Sequence, residues 1–103
     1  MSAFIPADAE WYVADLVVEI RVEGDQRSVV HINTVLVNAR SPDEAFSRAW
    51  QLGQRSEQEY LNPSNRRVTF RFRGLRHLGV IQDPLEHGGE IVYSERIGLS
   101  ESE

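Results

Sequence analysis

A single helical segment with sheet-forming sequence on both sides limits this chain more than any other feature. Ser41-Pro42-Asp43-Glu44 marks its start. A Ser cap, a Pro at the first helical position and a Glu three residues after the cap form a capping box. Ala45, Phe46, Ala49, Trp50, Leu52 and Gly53 then recur at helical spacing, while Arg48, Gln51, Arg55, Glu57 and Gln58 fall mostly on the other side. Asn62-Pro63 supplies a stop, because Pro cannot continue a helix and disfavours helical geometry in the residue before it. The pattern predicts a helix over Ser41 to Tyr60, with one apolar stripe that needs one apolar surface to cover.

Strand patterns lie on either side. From Trp11 to Val22 the even positions are all apolar, and the odd ones grade from Trp11, Val13 and Val17 to Asp15, Glu19 and Arg21. Glu23 to Arg27, with Gly24-Asp25 inside, carries the chemistry of a hairpin turn, and Ser28 to Ala39 reads as the second strand. Pairing Val22 with Ser28 or with Val30 keeps the apolar faces together. Either choice puts Val29, Val35 and Val37 on the side of Trp11, Val13 and Val17, opposite the helix. After the helix, Val68, Phe70 and Phe72 alternate with Thr69, Arg71 and Arg73 in a third strand. Gly74 and Gly79 mark bulges in its continuation to Ile81, and Glu90 to Glu95 reads as a short last strand. The expected fold is α+β: a single helix packed on one face of a mostly antiparallel four-stranded sheet, in the order β-β-α-β-β, with the third strand beside the first. Residues 1–10 read as a loose arm, 11–97 as the single domain and 98–103 as an acidic tail.

Composition narrows the chemistry. The net charge of -5 over 103 residues argues against a general nucleic-acid or anionic-membrane binder. All eleven basic residues are Arg, so neither a Schiff-base lysine nor a lysine general base is available. There is no Cys to supply a thiolate, a disulfide or a zinc ligand. No basic start with an apolar run and no membrane-length apolar stretch occurs, so the expectation is a soluble cytoplasmic protein without membrane contact. No phosphate loop or nucleophile motif is present, and His31, His77 and His87 do not fall at ligand spacing. Asp15 and Glu19 share a strand face, where ion pairing with Arg71 and Arg73 explains them more simply than acid/base catalysis. The sequence therefore predicts a non-enzymatic protein with no cofactor and no metal.

Several local signatures recur together: Trp11-Tyr12 at the opening of a strand, Val35-Leu36-Val37 closing the next, the Ser41-Pro42-Asp43-Glu44-Ala45 helix start, Tyr60-Leu61-Asn62, and the run from His87-Gly88-Gly89 to Tyr93-Ser94. Over roughly Trp11 to Ile97 the chain resembles the small bacterial family catalogued as domain of unknown function 4288. The resemblance implies this fold and a soluble character and supplies no mechanism. The Arg-rich stretch around residues 66–76 departs from the family pattern, so those arginines are read from this chain alone.

Two surfaces remain to be used. One helix cannot cover both sides of a sheet, and an apolar face of that size usually meets a partner. Trp11, Val13, Val17, Val35 and Val37 are the expected contacts of a homodimer or protein partner. The competing possibility is that Phe4 and Ile5, or Ile97 and Leu99, fold over that face. The alternative function is single-stranded nucleic-acid binding through Arg66, Arg67, Arg71, Arg73 and Arg76, with cations tracking phosphates. The interleaved Phe70 and Phe72 fall on the helix side and so are expected in the core.

Overall fold

The computed structural model describes residues 10–98. The chain runs β1 (Glu10–Val22), β2 (Ser28–Ala39), α1 (Pro42–Arg55), β3 (Gln58–Leu61) and β4 (Arg67–Val80). The four strands form one sheet in the order β2-β1-β4-β3, every neighbouring pair antiparallel. The fold is α+β, and the order β-β-α-β-β holds: β4 is the segment that the alternation singles out after the helix, and the remaining strand is Gln58–Leu61 rather than Glu90 to Glu95. The expected arm and acidic tail fall almost wholly on residues 1–9 and 99–103, outside the described residues, as do Phe4, Ile5 and Leu99.

The helix starts as its capping signals require. Ser41 is extended (φ -154, ψ 161) and its hydroxyl accepts from the Glu44 N–H at 3.1 Å, which satisfies an otherwise orphaned donor and is worth about 1 kcal/mol. The Glu44 carboxylate reaches back to the Arg40 N–H at 2.6 Å, one residue before the cap. Ala45, Ala49 and Gly53, four apart, are the buried residues of α1. The two alanines share one buried cluster with Tyr12, Ala14, Leu16, Val37 and Ala39. Small side chains let the helix axis come close, and the larger Phe46 and Trp50 lie on its flank, where Trp50 meets Phe72 edge-on at 4.9 Å.

The helix ends at Arg55, five residues short of Tyr60. Ser56 closes it by donating its N–H to the Gly53 carbonyl at 3.0 Å. Gln58–Leu61 then pairs with Phe70 to Arg67 of β4, which gives its amides a ladder that a lone helical turn could not. Asn62-Pro63 is therefore a hairpin turn rather than a helix stop. The Asn62 side-chain oxygen accepts from Ser64 and Arg66 N–H, and Asn65 takes the left-handed conformation at φ 62. Glu90 to Glu95 forms no strand. Gly89 N–H bonds the Glu86 carbonyl, and Glu90 N–H bonds the Asp83 carboxylate at 3.1 Å, so the loop closes on itself.

The β1–β2 register also differs from the expected one. Arg21 lies opposite Ser28 and Tyr12 opposite Val37, an offset one residue away from the Val22–Ser28 pairing and an odd number of residues from both pairings that the apolar pattern favours. The turn dictates this. Asp25 N–H bonds the Val22 carbonyl at 3.0 Å around Gly24, whose φ of 86 suits the third position of a tight turn, and the Asp25 carboxylate then holds Arg27 N–H. A one-residue slip turns every side chain over. Val29, Val35 and Val37 consequently share the face of Tyr12, Ala14 and Leu16, while Val30, Ile32 and Leu36 share the face of Trp11, Val13 and Val17.

β4 carries two bulges, one at Gly74 as expected and the other at Arg76-His77 rather than at Gly79, which pairs regularly with Val13. Arg73 and Gly74 together face Val17, and Arg76 and His77 together face Asp15. Each bulge adds one residue to the side opposite the buried cluster. This keeps Phe72, Leu75 and Leu78 packed against that cluster despite spacings of three. It also delivers Arg73 and Arg76 to the other face.

Candidate interaction surface

β2 is the outermost strand on its side of the sheet. Large apolar side chains stand exposed on both of its faces: Val29 at 52%, Val30 at 55%, Ile32 at 40% and Leu36 at 49%. Between Ser28 and Ala39 it carries no Asp, Glu, Lys, Arg or Pro.

Of the five residues expected at the interface, the structure leaves only Trp11 exposed. Val37 is 3% exposed and belongs to the buried cluster, and the half-buried Val35 packs against it; the register places both on the face of Tyr12 and Ala14, in the cluster that holds Ala45 and Ala49. Val13 is on the expected face but buried. It forms one wall of a cleft of about 460 Å³ together with Gly79, Ile81, Asp83, Glu90 and Tyr93, so the chain beyond β4 covers that end of the face from within. Val17 is half-buried between β2 and the first bulge. Their place is taken by Val30, Ile32 and Leu36, which the turn-dictated register turned outward. The lack of any charge along Ser28 to Ala39 is the sequence signal that could have found this surface.

The arginines divide. Arg73 meets the Glu19 carboxylate at 2.8 Å, Arg76 meets Asp15 at 2.8 Å, and Arg67 lies 3.6 Å from Glu59. Arg66 and Arg71 form no ion pair within 4 Å among the described residues, and Arg71 lies across the ladder from Glu19. Phe70 and Phe72 are half-buried beneath Tyr60 and Trp50 and offer no open stacking platform. Among the described residues no group of three His, Cys, Asp or Glu could hold a metal ion, and no helix is long and apolar enough to cross a membrane.

Asp15 is the one buried charged residue among those described. Its carboxylate accepts from the Thr34 hydroxyl at 2.6 Å and from two Arg76 nitrogens at 3.3 and 2.8 Å. The Thr34 hydrogen bond, reinforced by Arg76 against the cost of burial, holds its pKa below the ordinary Asp value. A depressed folded-state pKa gives stability that is present above the unfolded value, near 3.9, and is lost as pH falls through the folded one. Asp15→Asn is therefore expected to cost about 1.5–3 kcal/mol at pH 7, with the gap to wild type closing below pH 4. Urea unfolding of both proteins at pH 7, 5 and 3 checks this; a gap independent of pH would contradict it.

A comparison with protein families matches the one described as Domain of unknown function (DUF4288) over residues 11–94. No curated protein and no solved structure matches the chain.

Proposed function

Because the chain belongs to the DUF4288 family, whose description names no activity, we propose its function from geometry: it is a non-enzymatic protein-interaction domain that self-associates through the apolar side of the sheet carried by β2. The single observation behind this is the set of exposed side chains Val29, Val30, Ile32 and Leu36 on an outermost strand that bears no charge. In this reading α1 covers the face of Tyr12, Leu16 and Val37, and a second copy meets the exposed side chains of β2. The polar groups on the other face support pairing within the chain rather than catalysis, since Asp15 and Glu19 are each held by an arginine. The arginine cluster supports nucleic-acid binding less well, because three of its five guanidinium groups already face carboxylates.

The test is the solution mass by light scattering at tens of micromolar. Wild type is expected at twice the 11.8 kDa of one chain, and the double variant Ile32→Glu, Leu36→Glu at one chain with an unchanged circular dichroism spectrum. A monomeric wild type would overturn self-association.

A further inference from the structure

Resting on that self-association, we propose its geometry: two copies join β2 to β2 edge to edge and antiparallel, about a two-fold axis that crosses the strand within one residue of Asn33. The four-stranded sheets then become one continuous sheet of eight.

The unused backbone groups of β2 give the first reason. The Trp11 carbonyl accepts the Ile81 N–H at 2.8 Å on the β4 side, so Trp11 turns its main chain away from Asn38, its partner in β2. The Asn38 carbonyl correspondingly accepts from the Arg48 guanidinium at 2.8 Å. Hydrogen-bonded and non-hydrogen-bonded pairs alternate along an antiparallel ladder. Ser28, Val30, Ile32, Thr34 and Leu36 therefore also turn N–H and C=O outward, and no bond to those groups is present among the described residues.

The second reason is what the strand lacks. Natural sheets blunt their edges with short strands, charges, prolines or bulges. The opposite edge obeys this: β3 has four residues, includes Glu59 and runs into Pro63 two residues past its end. β2 has twelve residues, no formal charge and no Pro, and its ladder with β1 runs without a register shift.

The third is self-complementarity. A two-fold axis perpendicular to the sheet keeps like faces together, so only residues of equal parity meet. Centred on Asn33, it sets Val30 opposite Leu36 and Ile32 opposite Thr34 of the second copy on one face, and Val29 opposite Val37 on the other. The outward groups of Val30, Ile32, Thr34 and Leu36 then exchange about eight main-chain hydrogen bonds. Stacking the sheets face to face would instead bury the Asp15–Arg76 and Glu19–Arg73 pairs that occupy the middle of the open face.

The chain has no cysteine, so an introduced one is the only thiol. Ser28→Cys, Asn33→Cys and Asn38→Cys, each carrying a nitroxide label and checked for wild-type circular dichroism and mass, give interspin distances by pulsed electron paramagnetic resonance. At about 3.4 Å per residue, backbone separations near 34 Å are expected at positions 28 and 38, with a clear minimum below 20 Å at position 33. A dimer whose distances show no minimum at position 33 would overturn edge pairing and leave self-association standing. A wild type that stays monomeric, including one that instead binds a foreign extended peptide on β2, would overturn both.

Discussion

Leu16→Ala is expected to destabilise the domain by about 2–5 kcal/mol. Leu16 is buried in the middle of β1, in one cluster with Tyr12, Ala14, Val37, Ala45 and Ala49. Deleting its three outer carbons removes the transfer energy of those atoms and leaves a cavity. How far that cavity closes decides where in the range the cost falls. Here closure is opposed from two sides. Leu16 lies across from Leu75, the single residue between the two bulges of β4. Those bulges are held by Arg73 on Glu19 and Arg76 on Asp15, so the strand cannot slide inward without breaking both pairs. Against a total stability of about 5–15 kcal/mol for a domain, the upper half of the range would leave the variant largely unfolded at physiological temperature. Urea unfolding followed by tryptophan fluorescence measures it; a loss below about 1 kcal/mol would mean that Leu16 is not in the core.

The second large effect reverses a general rule. At a solvent-exposed helical site, Gly→Ala stabilises by about 1 kcal/mol because Ala loses less backbone entropy. At Gly53 the added methyl would overlap the ring of Phe72. That ring is fixed in turn by its edge-on contact with Trp50, itself stacked on Phe46 at 5.7 Å. Gly53→Ala is therefore expected to cost about 1–3 kcal/mol through overpacking. Adding Phe72→Leu should recover part of the loss, since a smaller side chain yields the space. A double-mutant cycle in urea tests this; a Gly53→Ala variant more stable than wild type would show that helix propensity outweighs the contact.

Local chemistry was legible in the sequence wherever one turn of chain decides the outcome. Ser41, Pro42 and Glu44 fix the helix start because all three act within a few residues. Gly74 announces a bulge because few other residues adopt its φ of 127. The strands β1 and β2 are long enough for their existence and extent to be unambiguous. Competition between elements was not legible. Gln58–Leu61 has the composition of a helix end, and only the pairing partner 67–70 makes it a strand. The β1–β2 register followed the turn at Gly24 rather than the apolar pattern, because β2 is apolar on both faces and tolerates either side. That ambiguity moved Val35 and Val37 from the expected interface into the core and brought Val30, Ile32 and Leu36 out. The arginines that look like a nucleic-acid stripe in sequence are partly matched by carboxylates from a strand more than fifty residues away.

Residue-resolved amide hydrogen exchange at two protein concentrations reaches the edge-pairing account most directly. The amides of Val30, Ile32, Thr34 and Leu36 face away from β1, so in a lone copy they exchange fast. In the paired sheet they are hydrogen-bonded. The account predicts that these four slow markedly at the higher concentration, while the amides of His31, Asn33 and Val35, bonded to β1 in either state, change little. Fast exchange at Val30, Ile32, Thr34 and Leu36 at every concentration would contradict edge pairing, whatever the mass of the protein in solution.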